Sequence, residues 1–261
     1  MNVPVRIHLL RILSSFLLLL AWGCAANPLS FKIENSLPPD RLAYYSDSFD
    51  TFREDLWEKS VSIYKDTQMA GFQLADMIYR GGKLVFTTQR DCFSKAALDT
   101  KYTLKGDFDI QMDCRFSPIR GLQPMDQVMG LGVFDKDSGE TGNQDLVRIV
   151  VFRGSGQPNN FLTSTSKNRA GRSPNTKEIL DFDGSLRVIR TGRTVSTYYR
   201  QKGEAWKRLS AYPVSNADLT FGFTLQNFTP RTNNLKSAVP FTAEFSEFKI
   251  NAAQDILEEE I

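Results

Sequence analysis

The segment DFDIQMDCRF, residues 107–116, sets Asp107, Asp109, Gln111, Asp113 and Arg115 at alternate positions. In an extended strand such residues share one face, and successive ones stand roughly 6.6 Å apart. That spacing suits two carboxyls working on one glycosidic bond, and it equally suits a polar surface that binds a ligand, with Arg115 and the more distant Arg148 as donors. The bland reading is a solvated strand face, with Asp107 serving a turn after Gly106. A second acidic cluster, DKDSGETGNQD at 135–145, offers Asp135, Asp137 and Glu140, with Asp145 behind them. Clustered carboxylates suit calcium, which takes six to eight oxygen ligands. The order is not that of an EF-hand, and an acidic hairpin loop accounts for the cluster without metal. No other cofactor is indicated.

Much chemistry is excluded. The only histidine is His8, inside a segment with the layout of a secretory signal: Arg6 and Arg11, an apolar run at 12–22, then small residues. Those eleven residues fall short of the roughly 20 needed to span a bilayer. The mature protein then has no imidazole, which removes Ser-His-Asp and Cys-His catalysis, His-ligated metals and a His general base. The stretch Ala21-Trp22-Gly23-Cys24 resembles a bacterial lipobox, although Ala21 and the bulky Trp22 depart from the usual pattern. It implies a signal at 1–23 and acylation of Cys24, hence an exported protein tethered to a membrane of the cell envelope, with free secretion as the alternative. Cys92 and Cys114 then remain, either as a disulfide or as two separately buried thiols.

Loss of Arg6 and Arg11 leaves 30 basic against 30 acidic residues. The stretch GSLRVIRTGRTVSTYYRQKGEAWKRL, 184–209, mixes Lys and Arg with Tyr198, Tyr199 and Trp206, yet a balanced chain supplies no overall excess of positive charge for a phosphate backbone. No nucleic-acid partner is expected. Solvent-facing Lys and Arg on a strand meander explain the stretch, because such charges also discourage wrong pairing between molecules.

The elements that must hold these residues are strands. Phe108, Ile110, Met112, Cys114 and Phe116 oppose the polar set with period two, so one face is buried and the other wet. Similar segments are LVFTTQ, AALDTKYTL, VMGLGVF, DLVRIVVFR, NFLTSTS, SLRVIR, TVSTYYRQ, DLTFGFTLQ and FTAEFSEFKI, with turn signals at 105–107, 137–139, 191–193 and 201–203. Short strands at close spacing point to an all-β sandwich of one domain at 42–251, between a tether at 24–41 and an acidic tail at 252–261 with a helical turn or two. Trp57 and Trp206 are either core residues or platforms for sugar rings.

The meander, together with SFDTFREDLWE, GGKLVF and GDFDIQMDCRF, resembles the concanavalin A-like lectin/glucanase superfamily. The resemblance covers about 45–250 and implies two antiparallel sheets packed as a jelly roll, with the first and last strands neighbours near 48–52 and 241–250. The Glu-x-Asp-x-x-Glu strand of its β-glucanases is missing here, and other members bind glycans, some with a structural calcium. The expectation is therefore a non-catalytic, lectin-like protein that binds carbohydrate or another extracellular polymer. A glycan-degrading enzyme using strand carboxylates and a purely structural envelope lipoprotein are the alternatives.

Overall fold

The computed structural model describes residues 31–117, 125–136, 146–154, 156–166, 175–228 and 239–258. The expected signal, Cys24, and the loop residues Asp137, Glu140 and Asp145 lie outside them. In chain order the elements are α1 (Pro39–Tyr44), β1 (Trp57–Lys59), α2 (Val61–Asp66), β2 (Phe72–Leu74), β3 (Asp76–Tyr79), β4 (Leu84–Thr87), β5 (Phe93–Thr100) and β6 (Tyr102–Phe116). Then follow β7 (Asp126–Phe134), β8 (Leu146–Arg153), β9 (Asn160–Ser166), β10 (Lys177–Ile179), β11 (Phe182–Thr191), β12 (Thr194–Gln201), β13 (Lys207–Pro213), β14 (Thr220–Phe228) and β15 (Thr242–Glu258). They form two sheets. One has eight strands in the order β1-β5-β14-β7-β8-β9-β10, with β2 added in parallel beside β5; the other has seven in the order β13-β12-β11-β6-β15-β4-β3.

Alternation in β6 sorts its residues as the sequence predicts. Phe108, Ile110, Met112, Cys114 and Phe116 are all buried between the sheets. From the facing sheet β14 contributes Phe221 and Phe223, which meet Trp57, Phe86, Phe245 and Phe248 at ring separations of 4.6–6.3 Å. Two of these pairs meet edge to face and two are stacked, arrangements that add to the area they bury. Trp57 is a core residue, held by Nε1 donating to the buried Asp47 carboxylate at 2.7 Å. Asp47, ahead of β1, and Phe248 of β15 exchange backbone hydrogen bonds of 2.9 and 2.8 Å.

Several expectations need correction. Lys105-Gly106-Asp107 is not a turn: β6 runs through it, and Gly106, at φ 68°, sits opposite a register shift between Ala253 and Asp255 of β15. The end of the chain is not a helical tail either, because β15 continues to Glu258 and buries Ala253 and Ile256. Phe245, Phe248, Ile250, Ala253 and Ile256 are spaced mostly by three, which imitates a helix. Three register shifts supply the reason: Ser246 and Asn251 are each an extra residue in β15, and Gln254 stands against Gly106 and Asp107 of β6, so the next apolar side chain returns to the core each time.

The supposed tether is docked from residue 31 onward. Leu37 N–H donates to the Ala253 carbonyl at 2.7 Å, Ala253 N–H to Ser36 Oγ at 3.2 Å, and Gln254 Nε2 to the Glu34 carbonyl at 3.3 Å. Cys92 and Cys114 are two buried free thiols, so the disulfide alternative is not the one the structure holds. The meander is also less solvated than expected. Arg187 and Arg190 are both buried; the guanidinium of Arg190 donates to the carbonyls of Gly192, Ala217 and Ser215 at 2.6–3.1 Å.

Candidate ligand-binding cleft

One row of residues crosses the outer face of the eight-stranded sheet. Antiparallel register places Glu58 opposite Asp99, Asp99 opposite Gly222, Gly222 opposite Gly132, Gly132 opposite Arg148, and Arg148 opposite Thr165. Directly opposed residues point to the same face. The row therefore reads as two carboxylates, two glycines, a guanidinium and a hydroxyl. A cavity of about 180 Å³ opens over it, walled further by Phe134, Leu146 and Gln226.

Close approach of backbone requires Gly132, and Gly222 leaves the space that the Asp99 side chain fills. A Cβ on Gly132 would lie 2.3 Å from the Val147 carbonyl oxygen, and one on Gly222 would lie 2.3 Å from Asp99 Oδ1. Asp99 thus leans over its neighbour strand and forms part of the cleft floor. Only 6% of it is exposed. Burial pushes its carboxyl up to about 6, with a hydrogen bond from Ser60 opposing the shift and the charge of Glu58 adding to it.

The walls are polar and largely pre-ordered. Lys136 Nζ pairs with Glu58 at 2.7 Å, and Lys95 Nζ contacts Asp66 at 3.0 Å and Ser62 Oγ at 2.7 Å. Across the cleft Arg148 Nε donates to Thr165 Oγ1 at 3.1 Å, which orients an otherwise exposed guanidinium. Hydroxyl-rich ligands would find an acceptor in Asp99, donors in Arg148, and an apolar ring in Phe134.

The five expected ligand residues divide between the two sheets. Arg148 lines this cleft. Asp109, Gln111, Asp113 and Arg115 lie on the outer face of the other sheet, and Asp109 is not open to solvent. Its carboxylate is bidentate to Arg187, with Nε to Oδ1 at 2.7 Å, and also accepts from Asn251 Nδ2 at 3.2 Å. Above this pair the ring centroid of Phe31 lies 5.8 Å from the Arg187 guanidinium. Trp206 is no free platform, because the guanidinium groups of Arg187 and Arg200 sit 5.3 and 4.5 Å from its ring. Asp135 is partly exposed beside Lys136, and among the described residues no three potential metal ligands gather.

Sequence reasoning missed Asp99, Gly132 and Gly222. A signal existed, since a glycine inside a strand often marks a close approach of backbone or ligand, and Asp99 interrupts the apolar run AALDT.

The two-sheet architecture recurs in known structures. The β-glucanase of Bacillus licheniformis superposes with a TM-score of 0.51 at 11% identity over 84% of this chain and 99% of that one. The fold is the concanavalin A-like jelly roll. A second jelly roll, an immunostimulatory antigen and pseudo β-1,3-glucanase of Mycobacterium tuberculosis, matches with a TM-score of 0.54 at 12% identity over 83% and 98% of the two chains. A third, from a study of endo-acting O-glycanases of human gut bacteria that initiate mucin breakdown, reaches 0.55 at 11% identity over 83% and 99%. No family model matches the sequence, and no curated protein matches it significantly. Identities this low establish the jelly roll and leave activity to the site itself.

Proposed function

We propose that the protein binds a glycan, without cleaving it, in the cleft over Gly132 and Gly222. The observation that carries this reading is the placement of acids. Glycoside hydrolysis commonly needs two carboxyls flanking the scissile bond. Here the outward positions of the three central strands are Thr220, Gly222, Thr224, Gln226 and Phe228, then Asp126, Val128, Gly130, Gly132 and Phe134, then Leu146, Arg148, Val150 and Phe152. The one acid among them, Asp126, is the first residue of β7, three same-face steps from Gly132, and does not line the cavity. Asp99 and, beyond it, Glu58 lie on one side of Gly222 and Gly132 in the row, and Arg148 and Thr165 on the other, so a saccharide seated over the two glycines has both carboxyls on the same side. Export and acylation at Cys24 complete the proposal: a lectin-like domain held at an envelope membrane.

The test is a titration of the purified protein with neutral and acidic polysaccharides, followed calorimetrically. Arg148→Ala is expected to weaken binding by about tenfold, the equivalent of one charge-assisted hydrogen bond. Unchanged affinity in that variant would remove the cleft from the account. A hydrolase reading draws support from Asp99, which holds its proton to about 6 beside the lysine-paired Glu58. Release of reducing sugar that disappears in Asp99→Asn would replace binding with cleavage. Palmitate incorporation lost in Cys24→Ala tests the anchor.

A further inference from the structure

We infer that the outer face of the seven-stranded sheet carries a second saccharide site, on the side of the sandwich opposite the first. A cleft of about 730 Å³ opens there, larger than the one over Gly132. Its floor is built from two cross-strand rows. In one, Glu244, Arg115 and Asp183 stand side by side on β15, β6 and β11; in the next, Asp113, Ser185 and Arg200 do so on β6, β11 and β12. Neighbours within a row are about 4.8 Å apart and the rows roughly 6.6 Å apart, so charged and hydroxyl groups tile the floor in two directions.

Two features point to a ligand rather than to a merely wet surface. Asp113 lines the cleft, yet its Oδ1 is buried and accepts no hydrogen bond among the described residues; a donor that reaches it offsets the desolvation that burial costs. Arg200 is held in place on two sides, by Nε donating to Ser185 Oγ at 3.0 Å and by stacking 4.5 Å from the Trp206 ring centroid. A guanidinium so fixed loses little freedom when its remaining N–H groups engage a partner.

Charge chooses the class of ligand. Carboxylate and guanidinium alternate, and Lys83 neutralises Glu244 at 2.8 Å. A ligand of one sign meets as much repulsion as attraction on such a floor. A neutral sugar does not, because each hydroxyl both donates to a carboxylate and accepts from a guanidinium. The site does not depend on the first, since no residue is shared between the two clefts. Two sites facing opposite ways would let one molecule bridge two polysaccharide strands.

Amide chemical shifts of the ¹⁵N-labelled protein, followed during titration with neutral β-1,3- and β-1,4-linked glucose hexasaccharides, test the inference. Saturable shifts at Asp113, Arg115 and Ser185 are expected. Arg115→Ala should raise the dissociation constant read at those amides by about tenfold, with shifts around Gly132 and Arg148 unaffected. Asp113→Asn should do likewise, and Arg115, being exposed, keeps the test readable if that second variant fails to fold. Shifts confined to the Gly132 face would overturn this site and leave the proposed function standing. Shifts confined to the Asp113 face would do the reverse, and no saturable shift on either face with either sugar overturns the second site.

Discussion

Replacing Asp99 by Asn separates what the cleft costs from what it does. In an unfolded chain an aspartate ionises near 3.9. In the fold, burial over Gly222 raises Asp99 from 3.8 to about 6. A carboxyl with a raised folded pKa contributes its stability below the unfolded value and loses it as pH climbs through the folded one. About two pH units of displaced ionisation, at roughly 1.4 kcal/mol each, amount to a penalty of about 3 kcal/mol above neutrality. Asn keeps the volume and the acceptor for Ser60 but cannot ionise. Asp99→Asn is therefore expected to match the parent near pH 4 and to exceed it by about 3 kcal/mol near pH 8, a rise in Tm of roughly 6–12 °C for a domain of this size. Urea titrations at a series of pH values, followed through the fluorescence of buried Trp57, read the difference directly. If the variant's advantage does not grow with pH, the burial argument is wrong. The same substitution should weaken glycan binding, because Asp99 is the acceptor in the cleft floor, and a residue that costs stability yet lines a cleft is a candidate for function.

Other outcomes follow from particular contacts. Arg187→Met strands the Asp109 carboxylate beneath the docked lead-in and should cost about 3–5 kcal/mol by urea denaturation; adding Asp109→Leu should recover much of it, and no recovery would mean the loss came from packing. Gly132→Ala forces a Cβ against the Val147 carbonyl and should destabilise by about 2 kcal/mol or more while abolishing ligand-dependent thermal shifts, whereas a fully stable variant would show that β7 and β8 separate freely. Cys92 and Cys114, both buried and both raised in pKa chiefly by burial, should react with a thiol reagent only on unfolding, and two thiols should be titrated without any reductant.

Period-two alternation in DFDIQMDCRF, VMGLGVF, DLVRIVVFR and their companions was enough to establish strands, their buried faces and a two-layered body, because the pleat turns a linear pattern directly into two sides. Composition alone likewise showed that the one histidine, His8, lies ahead of the strands, so the sandwich itself carries no imidazole. Of the residues that line the proposed cleft, Arg148 was named from the sequence, and the others were legible only as oddities: two glycines inside strands and one aspartate in an apolar run. Tertiary structure decided the rest. Which strands lie side by side is a long-range matter, and Glu58, Asp99, Gly222, Gly132, Arg148 and Thr165 come from six strands spread over more than a hundred positions. Pairing also decided that Asp109 is buried beneath the docked lead-in while Asp113 and Arg115 on the same strand border an open cleft. Alternation states only which way a side chain points; whether water, a lead-in segment or a sugar lies beyond it depends on what the remainder of the chain lays across that face.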